Sequence, residues 1–171
     1  WCLEALSRQA SMSLRAERKF HGWTGRWQSD VGDVHLLCPA TYMNHSGRAV
    51  AALMQFYRID PAAVLVIHDE IDLSVGEARL KAGGGHGGHN GLRDIIPALG
   101  GSKDFYRLRV GIGHPGHASK VSAYVLSKPD QGDRRAIDDI VDEAVRALPL
   151  LLAGDAVKAM TQLHSVNTGL K

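Results

Sequence analysis

The sequence has 171 residues, of which 44% are apolar and 22% charged, and its formal net charge is +2. No apolar run is long enough to span a membrane, and Cys2 and Cys38 lack the paired spacing of a metal site, so the composition is typical of a globular domain. The small net charge neither requires nor excludes a nucleic-acid partner. Because the two cysteines form no evident disulfide framework, we expect a cytoplasmic protein.

Short strand-like segments alternate with helix-like segments along the chain. Strands are predicted at residues 20–27, 33–37, 63–68, 77–81 and 106–112. The run Val64-Leu65-Val66-Ile67 is apolar throughout, which predicts a strand covered on both faces.

Apolar residues recur at helical spacing in three segments. These stripes are Val50, Leu53, Met54 and Tyr57, then Leu92, Ile95, Ile96 and Leu99, then Ile137, Ile140, Val141, Ala144, Val145 and Leu148. Two further helices are predicted, one starting at Trp1 without an N-cap and one over residues 155–164. Pro149 is expected to end or kink the helix that contains it. The alternation of elements predicts a single α/β domain over residues 1–171 with a mostly central sheet.

The densest motif is the segment 83–91, where nine residues include six glycines, two histidines and one asparagine. It lies between a predicted strand and a predicted helix, so its backbone amides and the helix start favour a negatively charged ligand. A mobile linker is the alternative, but linkers rarely carry paired histidines. Asn90 opens the predicted helix, where an N-cap is the alternative to a role in ligand binding.

Polar residues also gather at two other element ends. The segment 41–47 precedes a helix, and His68-Asp69-Glu70 ends the most apolar strand. Ligands of α/β folds usually bind beyond the carboxyl ends of strands. We therefore expect these two segments and the glycine loop to converge on one cleft.

Two of the chemistries that these residues allow have incomplete motifs. Gly83, Gly85 and Gly88 satisfy the dinucleotide pattern G-x-G-x-x-G, but the following strand ends without the acidic residue that would hold a ribose. A metal hydrolase would use two H-x-x-H pairs in glycine- and proline-rich turns, with Asp69 as a further ligand. Those pairs are His86 with His89 and His114 with His117.

Hydrolysis of an ester attached to RNA is the third chemistry, and it needs a base, amide donors and cations for phosphate. Asp69 could orient a histidine base, and Asn44 and Asn90 could supply amides. Two pairs of basic residues alternate along strands and therefore share a face: Arg79 with Lys81, and Arg107 with Arg109. The alternative for these pairs is a solvated sheet face.

Four segments carry a resemblance to a known family. They are Pro-Ala-Thr-Tyr-Met-Asn-His-Ser-Gly at 39–47, Val-Ile-His-Asp-Glu-Ile-Asp-Leu at 66–73, the glycine loop with its flanks at 81–96, and Tyr-Arg-Leu-Arg-Val-Gly-Ile-Gly-His-Pro at 106–115. In this order and spacing, the chain closely resembles the bacterial peptidyl-tRNA hydrolase family. The resemblance extends from Trp1 to about His164.

The resemblance implies a single α/β domain with a twisted, mixed β-sheet flanked by α-helices. It implies hydrolysis of the ester between a peptide and the 3′ end of tRNA, without a metal or another cofactor. The expected partner is peptidyl-tRNA, contacted at its 3′ end and its phosphates, with no membrane involved, and the expected state is a monomer.

The resemblance also implies roles for individual residues. Asp69 resembles the carboxylate that orients and polarises the catalytic histidine. Asn44 and Asn90 resemble the amides that hold the peptidyl-adenosine end and a water. Asp69 and Asn90 are the two predicted catalytic residues. Tyr42 and Met43 would wall the site, and His89 would help to shape it. The cations expected near the tRNA phosphates are Arg79, Lys81 and Arg109.

One departure from the family concerns the general base. Family members begin with a strand and a Gly-Asn-Pro-Gly turn, followed by Thr-Arg-His-Asn, whose histidine is the base. Neither motif occurs in this sequence, and we assign the role to no other histidine. We therefore expect a truncated chain that lacks the first strand and the catalytic-histidine segment, and that is slower than a chain carrying them. The alternatives are a noncatalytic tRNA- or RNA-binding relative and, third, a metal-dependent hydrolase.

Overall fold

A computed structural model describes residues 1–167, and the last four residues of the predicted domain lie outside the described residues. The α-helices are α1 (Cys2–Gln9), α2 (Ser46–Tyr57), α3 (Asn90–Ala98), α4 (Val121–Val125), α5 (Gln131–Leu152) and α6 (Ala156–Asn167). The strands are β1 (Arg15–Glu17), β2 (Gly22–Ser29), β3 (Gly32–Pro39), β4 (Leu65–Glu70), β5 (Ala78–Ala82) and β6 (Tyr106–Gly111). Their alternation confirms the predicted α/β class.

The described strands form two three-stranded sheets rather than one central sheet. The strands β1, β2 and β3 pair in that order and are antiparallel. The other sheet has the order β4-β6-β5 and is mixed. In it, the amides of Tyr106 and Ile112 donate to the carbonyls of Val64 and Glu70, so β4 and β6 are parallel. The hydrogen bonds between β5 and β6 show that these two strands are antiparallel. The alternation of elements could not show this division, because strand pairing is not a local property.

The strand β4 lies at an edge of its described sheet, and its apolar residues are only partly buried. Leu65, Val66 and Ile67 have intermediate exposure, while His68 is buried. The prediction that this strand is covered on both faces is therefore wrong. An apolar run shows which residues favour burial, but it does not show how much of the rest of the chain covers them.

The predicted helical stripes are largely buried. All six stripe residues of α5 are in the core, as are Leu53 and Met54 of α2. Pro149 does not end α5, which continues to Leu152. A proline removes one amide donor from the helix, and α5 tolerates that loss because only three of its residues follow Pro149. The short elements β1 and α4 were not predicted, because three and five residues are too few to show a period.

The packing divides the chain into two compact units. The unit called C-terminal here contains Trp1–Cys2, Val66–Lys81 and the residues from Arg107 onward. The N-terminal unit contains Leu3–Leu65 and Ala82–Tyr106. The single domain over residues 1–171 stays a prediction. In the described part of the chain, no helix combines the length and the apolar character needed to cross a membrane.

Candidate active site

The turn before α2 presents predicted site residues on the surface of the N-terminal unit. Residues Met43–His45 form a 3₁₀ turn that runs directly into α2. The Ser46 hydroxyl donates to the Met43 carbonyl oxygen at 2.9 Å, which fixes the turn on the helix. Tyr42 is 84% exposed and Met43 is 54% exposed, and Asn44, in the middle of the turn, is exposed as well. Both apolar side chains are therefore open to a ligand.

The helix α3 starts at the end of the glycine loop, and His89 is its N-cap. The His89 Nδ1 accepts a hydrogen bond from the Leu92 amide at 3.2 Å. Asn90 is the first residue of the helix and is exposed, with its Oδ1 3.5 Å from an Nη of Arg93. The alternative that Asn90 is the N-cap is therefore wrong, because an imidazole nitrogen one residue earlier accepts that bond. The Asn90 side chain remains open to a ligand.

Two glycines bring the turn and α3 into close contact. The Gly47 amide donates to Asp94 Oδ2 at 2.7 Å. A Cβ on Gly47 would lie 2.4 Å from the Asp94 carbonyl oxygen, so a larger residue would force α2 and α3 apart. A Cβ on Gly91 would lie 2.7 Å from the Met43 sulfur. The start of α3 is therefore packed directly against the turn that carries Asn44.

An open pocket of about 430 Å³ lies at this contact. Its lining residues are Met43, Asn44, Asn90, Arg93 and Asp94. The structure thus brings Asn44 and Asn90 to one pocket. Sequence reasoning missed Arg93 and Asp94, although residues three and four positions after Asn90 share its helix face. That spacing is the signal that could have found them.

The first histidine of each H-x-x-H pair holds a turn of the backbone. The Nδ1 atoms of His86 and His114 accept hydrogen bonds from the amides of Gly88, at 3.1 Å, and Gly116, at 3.0 Å. An accepting nitrogen carries no proton, so the neutral ring is protonated at Nε2. Within residues 1–167, no group of three or more His, Cys, Asp or Glu side chains is placed to hold a metal ion. The use of the His86 and His114 rings in backbone turns disfavours the metal-dependent alternative.

Asp69 and Arg109 lie in the C-terminal unit, on strands β4 and β6. Asp69 is partly buried, and its carbonyl oxygen accepts from the His68 Nδ1 at 2.7 Å. The next residue, Glu70, forms an ion pair with Arg109, whose Nε lies 2.9 Å from Glu70 Oε2. The predicted phosphate-binding Arg109 therefore has an acidic partner that the sequence did not reveal.

The two predicted basic pairs have different surroundings. Arg79 and Lys81 are exposed and alternate with buried residues of β5, so they share one solvent-facing side. On β6, by contrast, Arg107 is only 3% exposed, and burial, with a smaller contribution from the charge of Arg109, lowers its pKa. Burial, followed by the charge of Arg79, lowers the pKa of His164 on α6. Arg79 and Lys81 are thus open to a phosphate, whereas Arg107 is part of the interior.

The predicted site residues fall into two groups. The N-terminal unit contains Tyr42, Met43, Asn44, His89 and Asn90, and the C-terminal unit contains Asp69, Arg79, Lys81 and Arg109. The convergence of Asp69 with the two amides on one cleft stays a prediction.

Comparisons with known proteins add a family to this geometry. The sequence profile of the peptidyl-tRNA hydrolase family matches residues 1–170. The peptidyl-tRNA hydrolase of Chromohalobacter salexigens is 54% identical over 167 residues, which cover 98% of this chain and 86% of the relative. That of Sodalis glossinidius is 53% identical, covering 99% of this chain and 87% of the relative. The crystal structure of the Acinetobacter baumannii peptidyl-tRNA hydrolase has a TM-score of 0.90 and 46% identity, covering 95% of this chain and 82% of that one.

Proposed function

The chain belongs to the peptidyl-tRNA hydrolase family, and we propose that it hydrolyses the ester bond between peptide and tRNA in peptidyl-tRNA. The observation that carries this proposal is the pocket that Asn44 and Asn90 line together with the exposed Met43. Amides and apolar surface together suit a nucleoside that carries a polar ester. The pocket has the volume of an ordinary small-molecule site.

In this proposal the two amides have different tasks. Asn44 holds the peptidyl-adenosine end, while the exposed Tyr42 and Met43 supply surfaces on which a base can pack. The Asn90 side chain donates to the attacking water or to the oxyanion that develops on the ester carbonyl. A single preorganised donor of this kind typically contributes on the order of 10²–10³ in rate.

Asp69 is proposed to act on a histidine base. A carboxylate that accepts from one ring nitrogen fixes the tautomer in which the other nitrogen can take a proton from water, and it stabilises the imidazolium that forms. No histidine of residues 1–171 is assigned to the task. In the experiment below, that histidine is supplied by the motif Thr-Arg-His-Asn in a segment added before Trp1.

Arg79, Lys81 and Arg109 are proposed to bind tRNA phosphates. The first two are exposed on one side of β5, where a polyanion can reach both. Neutralising a phosphate releases condensed counterions, so this binding weakens with salt. A monomer acting on tRNA in the cytoplasm completes the proposal.

Peptide release from peptidyl-tRNA tests the proposal directly. It is measured with residues 1–171 and with an extended chain, in which a segment bearing Gly-Asn-Pro-Gly and Thr-Arg-His-Asn precedes Trp1. We expect hydrolysis by the extended chain, and a rate for residues 1–171 lower by ~10²–10⁴, the usual contribution of a general base. Hydrolysis by neither form would overturn the proposal, and tRNA binding without hydrolysis would favour the noncatalytic alternative. Loss of activity with a chelator would favour a metal-dependent reaction.

A further inference from the structure

The ion pair between Glu70 and Arg109 connects the end of β4, directly after Asp69, to a cation on the neighbouring strand. We propose that Glu70 is a positioning residue that holds the Arg109 guanidinium in the orientation in which it binds a tRNA phosphate. This inference rests on the proposed function, because it assumes a tRNA ligand for Arg109.

Both carboxylate oxygens of Glu70 act as acceptors. Oε2 accepts from Arg109 Nε at 2.9 Å, and Oε1 accepts from the Asp72 backbone amide at 3.2 Å. The side chain of Glu70 is 12% exposed and that of Arg109 is 25% exposed, so solvent screens the pair only in part. Glu70 therefore holds its own turn and the Arg109 side chain at the same time.

The contact leaves the outer donors of Arg109 for a ligand. Within residues 1–167, the hydrogen bond from Nε to Glu70 is the one that the Arg109 side chain makes. No described residue thus uses the Nη groups, and a planar guanidinium binds phosphate through such paired donors. A carboxylate held at Nε fixes the guanidinium without covering those donors.

Two effects of Glu70 on phosphate binding have opposite signs. Its negative charge lowers the positive potential at Arg109, which weakens binding. Its hydrogen bond orders a long side chain before the ligand arrives, which strengthens binding. The buried Arg107, on the same face of β6 as Arg109, favours the second effect. The positive charges of Arg107 and Arg109 repel each other, so this repulsion would displace the Arg109 guanidinium if Glu70 lost its negative charge.

Substitution of Glu70 by Gln separates these effects, with deacylated tRNA as the probe. Gln offers a single acceptor, so its NH₂ group would face a donor at either Arg109 Nε or the Asp72 amide. Asp72→Asn is the matched control, because it removes one negative charge two residues after Glu70 and keeps the backbone amide that donates to Glu70. A Coulombic role predicts equal or tighter tRNA binding for both variants.

We expect Glu70→Gln to weaken tRNA binding roughly threefold to tenfold, the range of one hydrogen bond. Asp72→Asn should bind tRNA as tightly as the parent or more tightly. In an Arg109→Gln background, Glu70→Gln should have no further effect, because residues that act through one group are not additive. The slope of log affinity against log salt should move toward that of Arg109→Gln, a change of about 0.7–0.9.

Unchanged or tighter binding by Glu70→Gln would overturn the positioning role, as would an equal loss in the Arg109→Gln background. If Glu70→Gln does not fold, Glu70→Asp serves instead, because it keeps the charge but its side chain is one methylene too short to reach both partners. Glu70→Asp should weaken tRNA binding by the same factor that is expected of Glu70→Gln. If Glu70→Gln weakens tRNA binding as expected but the extended chain hydrolyses no peptidyl-tRNA, the proposed function alone would be overturned. Hydrolysis by the extended chain together with a tRNA affinity that Glu70→Gln leaves unchanged would overturn the positioning role alone.

Discussion

The Asp94 carboxylate accepts a hydrogen bond from the Gly47 backbone amide at 2.7 Å and thereby joins α3 to the first turn of α2. Amides at a helix start have no partner within their own helix, so Asp94 acts as a cap supplied by a second helix. A negative charge at this end also interacts favourably with the helix dipole. The same bond holds the turn that carries Asn44 against the helix that carries Asn90.

Asp94→Ala should lower the free energy of unfolding by ~0.5–2 kcal/mol, the usual cost of a lost cap. It should also lower the turnover of the extended chain, because the two amides of the pocket would no longer be held together. Urea unfolding and peptide release measure the two effects. Asp104→Ala, at an exposed acidic residue of the same unit, is the control, and equal stability of the two variants would contradict the capping role.

The two close-contact glycines should respond differently to alanine. Gly47→Ala places a Cβ against the backbone of Asp94, which cannot move without separating the helices, so we expect ~1–3 kcal/mol of destabilisation by overpacking. Gly91→Ala meets the end of the flexible Met43 side chain and the His89 ring, so it should cost less stability but more turnover. Thermal melts and peptide release compare the variants. The reverse ranking in the melts would contradict this account of the packing.

The sequence predicted local features better than those that depend on distant partners. The stripe of α5 is a local property and is buried as predicted. The Glu70–Arg109 ion pair depends on strand pairing and could not be inferred from a single sequence. The N-cap of α3 is His89 and not Asn90. Both side chains can accept the hydrogen bond of an N-cap, and only the backbone conformation decides which one does.

The partly buried His164 should make the fold less stable in acid. Burial, followed by the charge of Arg79, lowers its pKa, so below about pH 6.5 the unfolded chain binds a proton that the folded chain does not. The free energy of unfolding therefore falls as the pH drops from about 6.5 toward the lowered pKa. His164→Phe should flatten this dependence in urea unfolding at several pH values.

His117→Gln is the control for that experiment, because His117 is an exposed histidine of the same unit. It should keep the slope of the parent. Burial, followed by the charge of Arg26, also lowers the pKa of His35, so a smaller slope remains in His164→Phe. A parental slope in His164→Phe would contradict the role of His164.

Replacing both Arg79 and Lys81 by Ala should weaken tRNA binding without changing the chemistry on a short ester substrate. Two lost phosphate contacts should flatten the slope of log affinity against log salt by roughly 1.4–1.8. Arg146→Ala serves as the control, since this exposed arginine of α5 already pairs with Glu143. An unchanged slope in the double variant would assign Arg79 and Lys81 to a solvated face.

The most direct test of the central claim, that the pocket of Asn44 and Asn90 is where the ester is cleaved, is the turnover of Asn90→Asp in the extended chain. Asn90 is the first residue of α3, so an aspartate there is favoured by the helix dipole and by the nearby Arg93, and the variant should melt within about two degrees of the parent or above it. It loses the N–H donor and adds a negative charge, so turnover should fall on the order of 10²–10³. A variant that melts like the parent and retains near-parental turnover would contradict the claim.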